Sequence, residues 1–286
     1  MKYFLFTFLL VLVIPVSLFS VEPDKKLHEM GLYPTVKLLI PMDGELFQTS
    51  NYPVYRANLE EKKAVGSGVI IRSEKYIGKI FKDKYVNVVL TAAHNIEHAK
   101  LPIKVMVGKY KDLSEIDGFD EFTSIVYEKD QDLDFAVMLF ISDKKMPVAN
   151  LGVDKKIYLG DKVIRVGFGL GDDIRFDEGK ITSVKTIIPT VMAGKGRMNA
   201  HAIFGDSGGP VYDDEYNVIG ITHAIRGHDM GLLTVQSYFS RISNIKTWNE
   251  SINNNVGFVY KSSDRLPSIA LFNLWLSDHQ IIGEKK

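Results

Sequence analysis

The stretch GDSGGPVYDDEYN, Gly205 to Asn217, decides the fold. It opens with G-x-S-x-G, the pattern of a serine held on an elbow between a strand and a helix. Glycines close on either side let Ser207 sit on a sharp bend, its hydroxyl projecting and backbone N–H groups gathered beside it. The elbow reading requires a helix to begin directly after the serine. Here Pro210 leads into Val211-Tyr212 and then into the polar run Asp213 to Asn217, which reads as a strand entering a turn. The strand–helix framework is missing, so Ser207 is expected on a loop between β-strands.

Working outward, the chain repeats that character. TVKLLIP, GSGVIIR, YVNVVLT, IKVMVG, FTSIVYE and DFAVMLF precede a polar connector, SDKKMPVANLG (Ser142–Gly152). KVIRVGF, GKITSVKTII, MNAHAIF, GPVY, NVIGITHA and LLTVQSY follow it. Short β-branched runs bounded by Gly, Asp, Asn or Pro are strand signals. Without long helical patterns between them they argue for barrels or sandwiches over a parallel sheet. Two β-domains of similar size are expected, at 31–145 and 150–250. One closing helix is expected over YFSRISNIKTWN, where Phe239, Ile242, Ile245 and Trp248 recur at three-residue steps. Residues 251–286 form a C-terminal extension, polar at SINNN and apolar at LPSIALFNLWL.

Composition narrows the class. The 286 residues are 45% hydrophobic and 24% charged, which is globular usage. Thirty-five basic residues balance 35 acidic ones, so no global field favours nucleic acid or an anionic membrane. Cysteine is absent, which excludes disulfides, thiolate metal sites and a cysteine nucleophile together. The opening MKYFLFTFLLVLVIPVSLFS places Lys2 before an apolar run from Tyr3 to Ile14, broken at Pro15. That run is short of the roughly 20 residues needed to span a bilayer and fits a signal peptide over 1–20. Ser17 and Ser20 supply small residues for cleavage. The chain is therefore expected to be exported, periplasmic or secreted, with membrane contact only if this segment stays uncleaved.

A serine on a Gly-rich bend suits acyl transfer, which needs a nucleophile next to donors for an oxyanion. Such a nucleophile needs a base, and the base needs an orienting acid. TAAHN delivers His94 at the exit of an apolar strand, and DLDFAVMLF sets Asp132 and Asp134 ahead of another. Asp134 directly precedes the apolar run, the better position for a buried carboxylate that fixes an imidazole tautomer. A competing reading uses His94-Asn95-Ile96-Glu97-His98, an H-x-x-E-H pattern of zinc hydrolases. It requires a long helix and a third ligand, whereas a strand ends at Thr91 and AKLPIK cuts off the segment beyond a turn or two.

The order of these pieces resembles the trypsin-like, chymotrypsin-fold serine proteases, especially the bacterial branch of glutamyl endopeptidases and HtrA protease domains. The matching segments are GSGVII, LTAAHN, DFAVM, LGDKVIRVGFG, EGKITSV, GDSGGPVY and NVIGITHA, in family order from about Gly31 to Trp248. The resemblance implies an all-β chain of two six-stranded antiparallel barrels with the site in the cleft between them. It implies Ser207 as nucleophile, His94 as general base and Asp134 as orienting acid. The Gly205 and Ser207 N–H groups match the oxyanion hole, protein or peptide is the implied substrate, and no cofactor is called for.

Two positions depart from the digestive members. Asp206 matches the aspartate that there pairs with a freed Ile-Val-Gly-Gly terminus, yet no such sequence precedes His94. A lysine, an arginine or the signal-cleaved terminus are the alternatives for its partner. His201 stands six before the nucleophile, at a position often on the floor of the specificity pocket. With His223 near it, an acidic side chain before the scissile bond is the corresponding substrate. GFGLG lacks the G-x-G-x-x-G spacing and the helix of a dinucleotide loop, and AGKGRMN lacks the Ser or Thr of a phosphate loop. The remaining alternatives are a zinc hydrolase built on His94 and His98, and a protease-fold binding protein that no longer cuts.

Overall fold

The computed structural model describes residues 25–42, 63–76, 81–97, 99–111, 115–152, 155–171, 173–187, 194–228 and 233–244. The proposed signal peptide and the extension 251–286 lie outside them, as does His98. No helix among the described residues is long and apolar enough to cross a membrane.

Six strands make the first body: β1 (Thr35–Pro41), β2 (Lys63–Lys75), β3 (Tyr85–Thr91), β4 (Ile103–Tyr110), β5 (Ile116–Asp130) and β6 (Phe135–Ser142). They close as a barrel in the order β1-β2-β3-β6-β5-β4. The second body comprises β7 (Asn150–Leu151), β8 (Lys162–Gly167), β9 (Arg175–Ser183), β10 (Gly196–Met198), β11 (Pro210–Tyr212), β12 (Asn217–His228) and β13 (Leu233–Arg241). Its seven strands run β11-β8-β9-β10-β13-β12-β7, and β11 also pairs with β12. Six of them thus follow one another in an antiparallel ring, with β7 added in parallel alongside β12. The fold is all-β and chymotrypsin-like.

The apolar runs that lack alternation are strands buried on both faces. On β3, Val89 points into the first barrel with Met138 and Phe140 of β6. Val88 and Leu90, on the opposite face, join Val137 and Leu139 of β6. There they meet Ile164 and Val166 of β8 and Ile221 of β12, so this core is the seam between the two bodies. Strand side chains alternate faces, so a strand with a core on each side carries apolar residues at successive positions. A third core inside the second ring gathers Val163, Ile181, Met198, Val211, Ile219 and Phe239.

The expected closing helix is corrected at its start. Tyr238, Phe239, Ser240 and Arg241 belong to β13, which pairs with β12 and β10. Ser237 to Ser240 are buried on both faces of the strand, which mimics the density of an apolar helical face. Ile245 and Trp248 lie outside the described residues. MNAHAIF is also shorter as a strand than its composition predicts: β10 stops at Met198, and His201 lies in irregular chain.

Candidate active site

Asp134 sits between the turn after β5 and the first residue of β6, with its backbone in the left-handed region at φ 57°. Aspartate tolerates that region better than most residues. The conformation turns its carboxylate into the seam, where it is 3% exposed. His94 follows β3 on a single 3-10 turn, Ala93–Asn95. Its backbone N–H donates to Asp134 Oδ1 at 3.0 Å, and its ring Nδ1 lies 3.0 Å from both carboxylate oxygens. An ionised carboxylate only accepts, so Nδ1 is the donor of this pair and Nε2 is the nitrogen left for another partner.

A second imidazole meets the same carboxylate. His223 Nδ1 contacts Asp134 Oδ2, and the two histidine rings stand edge to face with centroids 5.7 Å apart. The register of β12 against β13 shifts between Thr222 and Ala224, so His223 occupies a bulge. A bulge re-aims the side chain it carries. Burial pushes the Asp134 carboxyl up, but hydrogen bonds from His223 and His94 and the charges of both outweigh it, holding the group well below the usual carboxylate range.

Ser207 lies on the loop joining Phe204 to β11, between Gly205 at φ 99° and Gly208 at φ 85°. Both glycines are required. A Cβ on Gly205 would stand 2.5 Å from the Phe168 carbonyl, and one on Gly208 2.1 Å from Thr91 Oγ1. The Ser207 carbonyl accepts from Ser67 N–H and from Asn95 Nδ2, each at 2.8 Å. Gly208 N–H donates to the Thr222 carbonyl at 2.9 Å. The residue after His94 therefore holds Ser207 from the first barrel, and the residue before His223 holds its neighbour from the second. Ser67 Oγ also donates to the Gly205 carbonyl at 2.8 Å. Among the described residues, neither the Gly205 nor the Ser207 N–H donates a backbone hydrogen bond.

His201 is elsewhere on the second body. Arg175 Nη2 approaches its Nδ1 at 3.2 Å, and its backbone N–H donates to Asp177 Oδ2 at 2.8 Å. The structure thus gives His201 and His223 different partners, Arg175 for one and Asp134 for the other. Among the described residues, His94, Asp134 and His223 are the group whose ligand atoms lie close enough to share a metal, within 4.8 Å. The 3.0 Å approach of His94 Nδ1 to Asp134 is that of a hydrogen bond. Glu97 is exposed and His94 rides one short turn, so among the described residues no long helix carries the H-x-x-E segment.

Residue patterns alone did not single out Ser67, Asn95, Arg175 or Lys195 as neighbours of the site. Only Arg165 left a trace, as a charge inside the apolar run KVIRVGF.

A β-framework with a serine on a Gly-rich loop beside a half-buried His paired with a buried Asp defines the trypsin-like class. The chain belongs to the trypsin-like peptidase domain family, whose model matches residues 66–221. It is 25% identical over 228 residues to a probable periplasmic serine endoprotease, DegP-like, of Pseudomonas putida strain GB-1, covering 77% of this chain and 43% of that protein. A DegP-like protein of the same description from Halomonas elongata is 29% identical over 196 residues, covering 66% of this chain and 36% of its own. The chain thus spans less than half the length of these curated relatives. Among solved structures, an HtrA-type protease, AlgW, with a tripeptide superposes with a TM-score of 0.58 at 18% identity, covering 83% of this chain and 65% of that one. That likeness is one of fold.

Proposed function

We propose that this protein is an exported serine endopeptidase that cleaves peptide bonds in protein or peptide substrates through Ser207, His94 and Asp134. The observation that carries the reading is the hydrogen bond of Asn95 to the Ser207 carbonyl, beside a His94 ring seated on Asp134. In this mechanism His94 Nε2 takes the Ser207 hydroxyl proton as Oγ attacks the carbonyl, then passes it to the leaving amine. Water repeats the cycle on the acyl-enzyme. Asp134 holds the imidazole tautomer and stabilises the imidazolium. The Gly205 and Ser207 N–H groups receive the oxyanion, each such donor contributing about 2.7–4 kcal/mol to catalysis.

His223 serves the triad in this reading through its bond to Asp134. His201 contributes to the pocket for the side chain before the scissile bond, with Arg175 adding positive charge behind its ring. An acidic side chain is the complementary substrate. The periplasmic description of the DegP-like relatives supports export.

The deciding experiment is covalent labelling of the purified protein by a serine-directed fluorophosphonate, with the modified residue mapped. Ser207 should carry the label, and Ser207→Ala should lose both label and turnover while keeping its fold. Turnover that survives in Ser207→Ala, or is abolished by a chelator, refutes the reading.

A further inference from the structure

Three side chains of metal-ligand type meet from three separate elements: His94 on the turn after β3, Asp134 just ahead of β6 and His223 on the β12 bulge. Their ligand atoms all lie within 4.8 Å of one another. Both imidazoles address the carboxylate through Nδ1, His94 at 3.0 Å from each oxygen and His223 on Oδ2. The rings stand at 80° to each other with centroids 5.7 Å apart. They are not stacked, so the two in-plane Nδ1 atoms converge on Asp134 from different directions. Orienting one base requires one imidazole on the carboxylate. The second completes a set of two nitrogens and a carboxylate, which is what zinc and its first-row neighbours bind.

We propose that His94, Asp134 and His223 form an inhibitory site for a zinc-class divalent cation, which silences the peptidase by reversing the tautomer of His94. The inhibition rests on the serine-peptidase reading above; the binding does not. In a tetrahedral zinc site the ligands stand about 2.0–2.2 Å from the ion, hence roughly 3.4 Å from one another. Opening the 3.0 Å approach by a few tenths of an ångström admits the ion. His94 is the side that moves, its side chain being 35% exposed while Asp134 is buried. Solvent enters on that side and supplies water as the fourth ligand. A neutral His94 that donates from Nδ1 keeps its lone pair on Nε2, ready for the Ser207 proton. To ligate through Nδ1 the ring must instead carry its one N–H on Nε2, and His223 makes the same exchange. Each proton passes through water between the two nitrogens of one ring, so no net proton or electron is exchanged and Ser207 forms no bond. Nε2–H is a donor, and the serine has lost its base. Imidazole nitrogen selects Zn2+, Cu2+ or Co2+ over Ca2+ and Mg2+, which take oxygen shells.

The test uses the full chain, stripped by a chelator and then placed in buffers of fixed free zinc. Fluorophosphonate labelling of Ser207, read per folded molecule, should fall at least about a hundred-fold at saturating zinc, as for loss of a general base. Chelation should restore it, and Mg2+ or Ca2+ at the same concentration should leave it unchanged. By equilibrium dialysis Ser207→Ala should bind zinc as wild type does. His223→Ala should bind it more than about ten-fold more weakly, since loss of even an outer-shell partner costs that much. The slower labelling of His223→Ala should persist at the zinc concentration that silences wild type, whereas His201→Asn should stay as zinc-sensitive as wild type. Cobalt needs no variant: Co2+ in the site should give the intense visible bands of a four-coordinate ion, bleached by zinc. Zinc that leaves wild-type labelling unchanged, or that silences His223→Ala equally, overturns the proposal while the peptidase reading stands. Weak six-coordinate cobalt bands also overturn it. Stripped wild type that does not label at Ser207 overturns the peptidase reading itself, and dialysis then decides the metal site alone.

Discussion

Lys195 Nζ donates to the Leu133 carbonyl at 2.8 Å, one residue ahead of Asp134, although the two belong to opposite bodies of the protein. The same ammonium reaches Ser240 Oγ on β13 at 3.1 Å, and Lys195 is 3% exposed. Burial lowers its pKa, and the nearby Asp134, Asp130 and Asp132 charges pull it back up. The lysine therefore clamps the turn that presents Asp134.

Lys195→Met should keep the shape of the side chain and lose the clamp. Stranding the half-buried Leu133 carbonyl and the buried Ser240 hydroxyl is expected to destabilise the protein by about 1–3 kcal/mol. Peptidase kcat should fall further than the loss of folded protein explains. Thermal melts with kinetics on the folded fraction check this, and a variant that melts early with an unaltered kcat would limit Lys195 to stability.

His223→Ala removes one of the two ring donors on Asp134. A hydrogen bond to a charged group contributes about 1.5–3 kcal/mol, so kcat should drop by about ten-fold or more if most of it acts in the transition state. The expected signature is an unchanged order of preference in a peptide library. A changed preference at unchanged kcat would instead assign the ring to substrate.

Asp134→Asn should reduce kcat by about ten-thousand-fold, because the amide no longer selects the right imidazole tautomer. The wild-type carboxyl titrates below its unfolded value of about 3.9. Between those two values the unfolded chain binds more protons, so stability rises with pH there. The contribution is complete above the unfolded value and is lost as pH falls through the folded one. Melting temperatures of wild type and Asp134→Asn should therefore converge on acidification below about pH 4. Parallel curves would contradict the depressed carboxyl.

Gly208→Ala places a methyl 2.1 Å from Thr91 Oγ1 and 2.2 Å from the Ser67 carbonyl, at a left-handed backbone. The backbone alone costs about 1–2 kcal/mol. Because Ser67 is held on both sides, the clash should be relieved by moving the Ser207 loop. Labelling by a serine probe should be lost while circular dichroism still reports β-structure; labelling at the wild-type rate would count against the loop geometry.

Local pattern was enough for much of this architecture. TVKLLIP and YVNVVLT coincide with β1 and β3 because β-branched runs bounded by turn residues have few other stable forms. Phe239 shows where pattern misleads: three-residue steps fit a helix, but burial on both faces of β13 spaces apolar residues just as closely. His223 carried no local sign of its orientation, since a bulge breaks the alternation that would have assigned its face.

What the sequence by itself determined was the all-β class and most of the order of strands, which follow from short-range periodicity and turn chemistry. What only the tertiary structure decided was partnership: Arg165 with Asp206, His223 with Asp134, Asn95 with Ser207 and Lys195 with Leu133. Each pair joins segments distant along the chain, and its energy arises from shared burial, which exists only after the barrels have closed and excluded water.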